Sequence, residues 1–167
     1  MIIRIRKAMD DPEQIKSLGR RWYQSENAEI ILPSSLSRQQ AHNLVETFVD
    51  LLPDAFASAV LAQLAEKNTL NEELQWKIYK LGDISCKVSI CLGSNVPSAI
   101  LEKALTSGVP DIIEHAVFHP SVTISRCRKL LAGRRMRKMT CLAIERAILV
   151  KQANRKLRER DKTRVSS

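Results

Sequence analysis

The sequence predicts an all-α fold, arranged as a short α-solenoid of stacked helix pairs with a capping helix at each end. Composition favours helices over strands, because only 4% of the residues are aromatic and only five are glycine. From Pro33 onward, apolar residues also recur at helical spacing. At 167 residues and 44% hydrophobic content, the chain is long enough to bury the core of one domain.

Residues 1–32 have the least regular pattern. Asp11 and Pro12 are typical of a helix start, where free N–H groups favour an acidic residue and tolerate proline. For Trp22 two interpretations remain open. It belongs either to an exposed basic and aromatic patch over residues 20–23, or to an apolar contact that packs this segment onto the body.

The first well-defined helix begins at Ser37. Ser37 and Gln40 have the spacing of a capping box, and apolar residues then form one helical face as far as Leu52. Pro53 ends the pattern. We interpret this helix as the N-terminal cap of the solenoid.

Six short helices are then predicted over residues 57–133, followed by a final helix that begins near Met136. Breaks between the short helices fall at Asn68, Gly82, Gly93, Gly108 and the turn at 119–121, and Gly133 ends the last one. The final helix is expected to be a buried C-terminal cap, with apolar residues at Met139, Leu142, Ala143, Ile144, Ala147, Ile148 and Val150.

A repeat appears when these helices are superimposed in sequence. At an offset of 27 residues the matched pairs are Leu61 and Val88, Leu64 and Cys91, Ala65 and Leu92, Asn68 and Asn95, Leu74 and Leu101, and Ile78 and Leu105. A third unit follows at offsets of 25 and 26. Repeats of this length indicate stacked helix pairs. The predicted organisation is one domain over 1–150, comprising an N-terminal segment (1–32), helix-pair repeats (33–133) and a capping helix (134–150), followed by a basic tail (151–167).

Residues 88–101 and 113–123 carry a family resemblance. They resemble the leucine-rich variant repeat, a HEAT-like α-helical family in which a helix alternates with a shorter helix around a proline-containing turn. The segments Gly93–Pro97 and Phe118–Thr123 stand where that turn would be, and the similarity covers about residues 56–133. The resemblance implies an α-solenoid. It implies no cofactor, since the separate cysteine-rich segment that holds an iron–sulfur cluster in some members has no counterpart in these residues.

Positive charge is concentrated at the C-terminal end. Residues 126–167 hold fifteen basic and three acidic groups, a formal charge of +12, whereas the first 125 residues hold twelve basic and fifteen acidic groups. The basic residues flank the apolar part of the final helix, which is therefore expected to dock on the body. The predicted partner-binding residues are Arg126, Arg128, Lys129, Arg134, Arg135, Arg137, Lys138, Lys151, Arg155, Lys156, Arg158 and Arg160.

This charge leads to three interpretations. The first is an interaction protein, an adaptor or regulator, whose basic end contacts an acidic protein partner. The alternative is a nucleic-acid-binding protein that uses the same residues on phosphates. The third is a solubilising extension without a partner, although fifteen basic groups against three acidic ones exceed what solubility requires.

Catalytic and cofactor chemistry is not predicted. The sequence has no glycine-rich phosphate loop, nucleophile elbow or metalloprotease helix, so we expect no enzymatic activity and assign no catalytic residues. His115, His119, Cys86, Cys91 and Cys127 could be imagined as a metal site. His119 stands at the turn position of the repeat, and Cys91 and Cys127 stand at core positions. These three residues therefore have structural roles, and neither a metal nor a cofactor is expected.

The predicted location is the cytoplasm. The apolar stretch over 141–150 is about half the length that a membrane-spanning helix requires, roughly 20 residues. The N-terminus lacks the apolar core of a secretory signal. Four cysteines without close pairing suit a reducing compartment.

Overall fold

The structure is a computed structural model that describes residues 1–6, 11–25, 28–67, 69–133 and 136–165, with side chains described as far as Asp161. Helix accounts for 69% of the described residues and strand for 4%. The prediction of a mostly helical protein is therefore confirmed. The chain divides into two compact units, Met1–Ile100 and Leu101–Ser167.

The first unit contains two strands and most of the helices. Its elements are β1 (Ile2–Arg4), α1 (Pro12–Tyr23), β2 (Glu29–Ile31), α2 (Arg38–Val49), α3 (Ala55–Ala65), α4 (Glu72–Leu81) and α5 (Ile84–Leu92). Helix α6 (Ser98–Leu105) crosses the boundary between the units. The second unit continues with α7 (Pro110–Phe118), α8 (Ile124–Gly133) and α9 (Lys138–Val165).

The two strands are a feature that the all-α prediction missed. They pair in parallel, with Ile3 opposite Ile30, and both of these side chains are buried. Helix α1 lies between them in the chain and supplies the crossover that parallel strands need. Isoleucine-rich runs of three residues satisfy the β-branched preference of strands, but they are too short to show a period.

Within the first unit, helix α1 packs on helix α3 through an aromatic contact. Asp11 caps it by accepting a hydrogen bond from the backbone N–H of Glu13. Trp22 is half-buried, with its ring centroid 6.0 Å from that of Phe56 on α3. The second interpretation of Trp22, as a packing residue, therefore describes its position.

Local capping determines where the next helices begin. Both hydrogen bonds of the predicted Ser37–Gln40 capping box are present at the start of α2. Asp54, Asn71 and Asp83 cap α3, α4 and α5 with one bond each, in which the side-chain oxygen accepts from a backbone N–H of the first turn. Helix α3 then packs between α2 and α5.

Local structure recurs every 26 residues from α3 to α8. The backbone N–H groups of Lys67, Gly93 and His119 each donate to the carbonyl three residues earlier, at 2.9, 3.1 and 3.1 Å. Buried positions recur at the same spacing: Leu64, Ile90 and Ala116; Ala65, Cys91 and Val117; Leu70, Val96 and Val122; Gln75, Leu101 and Cys127; and Ile78, Ala104 and Leu130.

The offsets of 27 and 25 residues differ from this observed spacing. Leu92, which the 27-residue offset matches with buried Ala65, is 58% exposed. At a spacing of 26 the equivalent of Ala65 is Cys91, which is buried. The offset of 27 residues rests on apolar residues that coincide in sequence. Leu92 is apolar but exposed, so it coincides with Ala65 without sharing its burial. Asn68 of the same comparison lies outside the described residues.

Helix α9 is the longest element of the second unit and packs against α7 and α8. Its buried residues are Thr140, Ala143, Ile144 and Ala147. The helix continues without a break to Val165, so the predicted boundary after residue 150 falls inside it. Most of the predicted basic tail (151–167) is therefore part of the same helix.

Candidate interaction surface on helix α9

The predicted basic residues differ in how they are held. Arg126 is already paired, because its Nε donates to Glu102 Oε1 at 2.9 Å and its Nη2 donates to Glu102 Oε2 at 2.5 Å. Arg134 and Arg135 lie outside the described residues. Lys151 is half-buried. The other predicted residues are exposed, and they are Arg128, Lys129, Arg137, Lys138, Arg155, Lys156, Arg158 and Arg160.

One groove runs beside α9 and has a volume of about 530 Å³. Its apolar wall comes from the turn between α7 and α8, where Phe118, Pro120 and Val122 lie. Its other wall is α9, which contributes cationic side chains. These are Lys151, Arg155 and Arg158.

A second groove, of about 540 Å³, lies between α9 and the start of α8. Arg128, Arg155 and Lys156 line it, together with the carboxylate of Glu159. The structure thus brings Arg128, Lys151, Arg155, Lys156 and Arg158 to two adjacent grooves. The linings of these grooves do not include the other described members of the predicted set, Arg126, Lys129, Arg137, Lys138 and Arg160.

Lys151 fixes α9 to the turn that precedes α8. Its Nζ donates a 2.7 Å hydrogen bond to the main-chain oxygen of His119. Burial lowers the pKa of Lys151, because the charged ammonium loses water there. His119 is itself buried and accepts from the backbone N–H of Ser121 through Nδ1 at 3.1 Å. Lys151 therefore acts as a packing contact as well as a cation.

The charge beyond Lys151 is directed to solvent. Arg155 pairs with Glu159 at 2.9 Å one turn later, and both side chains are more than half exposed. Exposed pairs of this kind contribute only a few tenths of a kcal/mol. The pair therefore adds little to the stability of α9. Lys156 and Arg158 are exposed on either side of it.

The outer face of α9 carries apolar side chains, and three of them, Met139, Leu142 and Val150, belong to the segment that was predicted to be buried. Met139 is 73% exposed and Leu149 is 65% exposed, and Leu142, Val150 and Leu157 are exposed as well. The prediction of a buried apolar segment is therefore correct for Ala143, Ile144 and Ala147 and wrong for Met139, Leu142 and Val150. The reason is that α7 and α8 cover only one face of α9.

Leu149 and Leu157 are residues of this face that the predicted apolar segment did not include. The signal was present in the spacing, since apolar residues of the 138–165 segment fall on more than one side of a helical projection. A helix packed on one side only requires one apolar stripe. Leu149 and Leu157 lie outside the stripe that α7 and α8 cover.

The cysteines and histidines considered for a metal site lie in the core or in local hydrogen bonds. Cys86, Cys91 and Cys127 are buried, and burial raises the pKa of each thiol, that of Cys91 to about 12. His115 Nδ1 lies 2.7 Å from the main-chain oxygen of Asp111. Within the described ranges, no three His, Cys, Asp or Glu residues cluster as a metal site would require.

Two further findings concern the whole chain. Across its described residues, no helix has the length and apolarity needed to cross a membrane. Comparisons of the chain with protein-family models, with curated proteins and with solved structures gave no match. The basis for a functional assignment is therefore the chemistry of α9.

Proposed function

We propose that this protein is a non-enzymatic helical-repeat interaction protein, an adaptor or regulator, whose basic C-terminal region contacts an acidic protein partner. The observation that carries the proposal is that α9 exposes both apolar side chains, such as Leu149 and Leu157, and cations, such as Lys156 and Arg158. Apolar patches bordered by polar residues are typical of protein contacts. The cations select a partner of opposite charge.

The repeat architecture is part of this proposal. Its support is the 26-residue recurrence of backbone hydrogen bonds at Lys67, Gly93 and His119, together with the recurring buried positions. Units that cannot bury both faces alone stack on their neighbours. A short α-solenoid, related to the leucine-rich variant repeat and capped by α2 and α9, is the arrangement that we propose. A cytoplasmic location belongs to the same proposal.

A protein partner accounts for α9 better than a nucleic acid does. Phosphates would neutralise Arg155 and Arg158, but they would leave Met139 and Leu149 in water. Glu159 also lines the second groove and would repel a phosphate there. A polypeptide offers both carboxylates and apolar side chains, and its backbone N–H groups can donate to Glu159.

Nucleic acid is the second candidate, and the observation in its favour is the C-terminal charge of +12. The two candidates differ in how binding depends on salt. For duplex DNA the logarithm of affinity falls with the logarithm of salt concentration by about 0.9 per neutralised phosphate. A partner held partly by apolar contacts shows a shallower dependence.

The test is fluorescence anisotropy with two labelled probes, a glutamate-rich peptide with interspersed leucines and a DNA duplex. The variant replaces Arg155, Lys156 and Arg158 by Gln. The matched control replaces Arg4, Arg21 and Lys103, three exposed basic residues elsewhere, and changes net charge equally. We expect the variant to bind the peptide about tenfold or more weakly, which is roughly 1.4 kcal/mol, and the control to bind as the wild type does.

Two results would contradict the proposal. Equal weakening by both variants would mean that only net charge matters. Tight duplex binding with a steep salt dependence, together with no peptide binding, would favour the nucleic-acid function. Circular dichroism of each variant establishes that α9 has kept its helix content.

A further inference from the structure

We infer that the outer face of α9 is a docking surface for an acidic amphipathic helix, which lies along α9 as the second member of a helix pair. This inference rests on the proposed function and names the secondary structure and chemistry of the partner. We call the surface the outer stripe. It consists of Met139, Leu142, Arg146, Leu149, Ala153 and Leu157.

The spacing of the outer stripe is that of a helix–helix contact. Successive positions are separated alternately by three and four residues from Met139 to Ala153, which is the periodicity of a two-helix seam. At 1.5 Å per residue, the stripe from Met139 to Leu157 is about 27 Å long. This length offers a partner helix about five turns of contact.

The outer stripe is distinct from the face that holds α9 on its own unit. That packing face consists of Thr140, Ala143, Ile144 and Ala147, which are buried against the neighbouring helices. Among the described residues, five of the thirteen exposed large hydrophobic side chains are on α9. These five side chains are concentrated on one helix, whereas exposed hydrophobic residues that have no binding role are usually scattered singly over a surface.

Charge identifies the partner as acidic. Arg146 is exposed in the middle of the outer stripe, and no ion pair involves it among the described side chains. Lys138, Lys156 and Arg160 lie near the two ends of the stripe. A carboxylate on the partner opposite Arg146 satisfies the guanidinium while leucines cover Leu142 and Leu149.

Two other occupants fit less well. A second copy of α9 would bring another basic helix against this one in either direction, since Arg137 and Lys138 are at its start and Arg155 to Arg160 are near its end. A bilayer requires an apolar face free of charge, and Arg146 interrupts this one. Helices that lie on membranes also commonly use aromatic anchors, and the segment 138–165 contains none.

The test uses a designed helical peptide with leucine at its seam positions and glutamate beside them, and a scrambled peptide of the same composition. The variant is Leu142→Ser with Leu149→Ser. Its matched control is Leu81→Ser with Leu92→Ser, two exposed leucines of the first unit. We expect a loss of about tenfold in affinity for each outer-stripe leucine, or about a hundredfold for the double variant. The control variant should bind the designed peptide as the wild type does, and the leucine substitutions should not change binding of the scrambled peptide.

A charge exchange provides a second readout that does not depend on apolar substitutions. Arg146→Glu should weaken binding of the glutamate peptide, and a peptide with lysine opposite position 146 should restore binding to that variant. Restoration would place the peptide on the outer stripe, because charge changes elsewhere do not compensate pairwise. Lack of restoration would overturn the inference.

The remaining outcomes separate this inference from the proposed function. If the Leu142→Ser and Leu149→Ser variant binds the peptide as the wild type does, while replacement of Arg155, Lys156 and Arg158 abolishes binding, the outer stripe is not the site and the acidic-partner function stands. If the wild type binds neither acidic peptide, both proposals fail. If these leucine substitutions instead abolish self-association in sedimentation, or binding to phosphatidylserine vesicles, then a second copy or a membrane occupies the stripe.

Discussion

Lys151 and His119 are 32 residues apart in sequence and are joined by a 2.7 Å hydrogen bond from the ammonium nitrogen to the main-chain oxygen. The bond ties the middle of α9 to the turn between α7 and α8. The bond also marks the end of the buried apolar face of α9, because Ala147 is the last buried apolar residue before Lys151. Beyond this point the helix carries Arg155 and Arg158 on the same side, one and two turns later.

Replacement of Lys151 tests whether this contact stabilises the second unit. We expect Lys151→Ala to lower the free energy of unfolding by about 1–2 kcal/mol, because the main-chain oxygen of His119 loses a charged donor in a partly buried place. Lys156→Ala, an exposed substitution on the same helix, should change stability by less than about 0.5 kcal/mol. Denaturant unfolding measures both, and equal effects would contradict a specific role for Lys151.

Alkaline pH should destabilise the first unit through Cys91. Burial raises the pKa of Cys91 to about 12 from 9.0, so the folded thiol keeps its proton while the unfolded thiol loses it. The unfolded state therefore binds fewer protons above pH 9, and the unfolding free energy falls as pH rises towards about 12. Cys91→Ala should make this decline shallower in thermal melts between pH 9 and 10. A slope unchanged from the wild type would show that Cys91 ionises freely when folded.

Substitution of two leucines tests the 26-residue register. Leu101 is 3% exposed, whereas Leu92 is 58% exposed. We expect Leu101→Ala to cost about 2–5 kcal/mol, as a buried truncation does, and Leu92→Ala to cost less than about 0.5 kcal/mol. Chemical denaturation of the two variants gives the comparison. Similar losses would favour the 27-residue offset, in which Leu92 is a core position.

Thiol labelling tests the burial of the four cysteines. Cys86, Cys91 and Cys127 are buried, whereas Cys141 on α9 is half-buried. Under native conditions we expect one thiol to react quickly with a maleimide and the other three to react only after unfolding. Mass spectrometry of the labelled peptides identifies the site. Rapid modification of Cys127 would mean that α9 does not cover α8 as the structure shows.

The sequence was sufficient to locate helices whose ends are set by neighbouring residues. Ser37 and Gln40 form their hydrogen bonds within four residues, and Gly82 and Gly93 end their helices. Such caps are local and can be read from spacing. The pairing of Ile3 with Ile30 is not local, and a three-residue strand has no period from which to infer it.

Burial was harder to predict than helix position. Leu92, Met139 and Leu142 are apolar and lie at helical spacing, yet they are exposed, because spacing alone does not tell which faces of a helix have neighbours. The position of the candidate site followed in part from charge, which is visible in the sequence. The grouping of Arg128 with Arg155 depends on how α8 packs on α9, which sequence alone did not show.

Methyl NMR during titration with the acidic helical peptide tests the central claim most directly, because it reports where on the protein the partner lies. The account predicts shifts in the methyl signals of Met139, Leu142, Leu149 and Leu157, with those of Leu81 and Leu92 unchanged. Shifts confined to Leu81 and Leu92, or no shifts at saturating peptide, would contradict the assignment of α9 as the interaction surface.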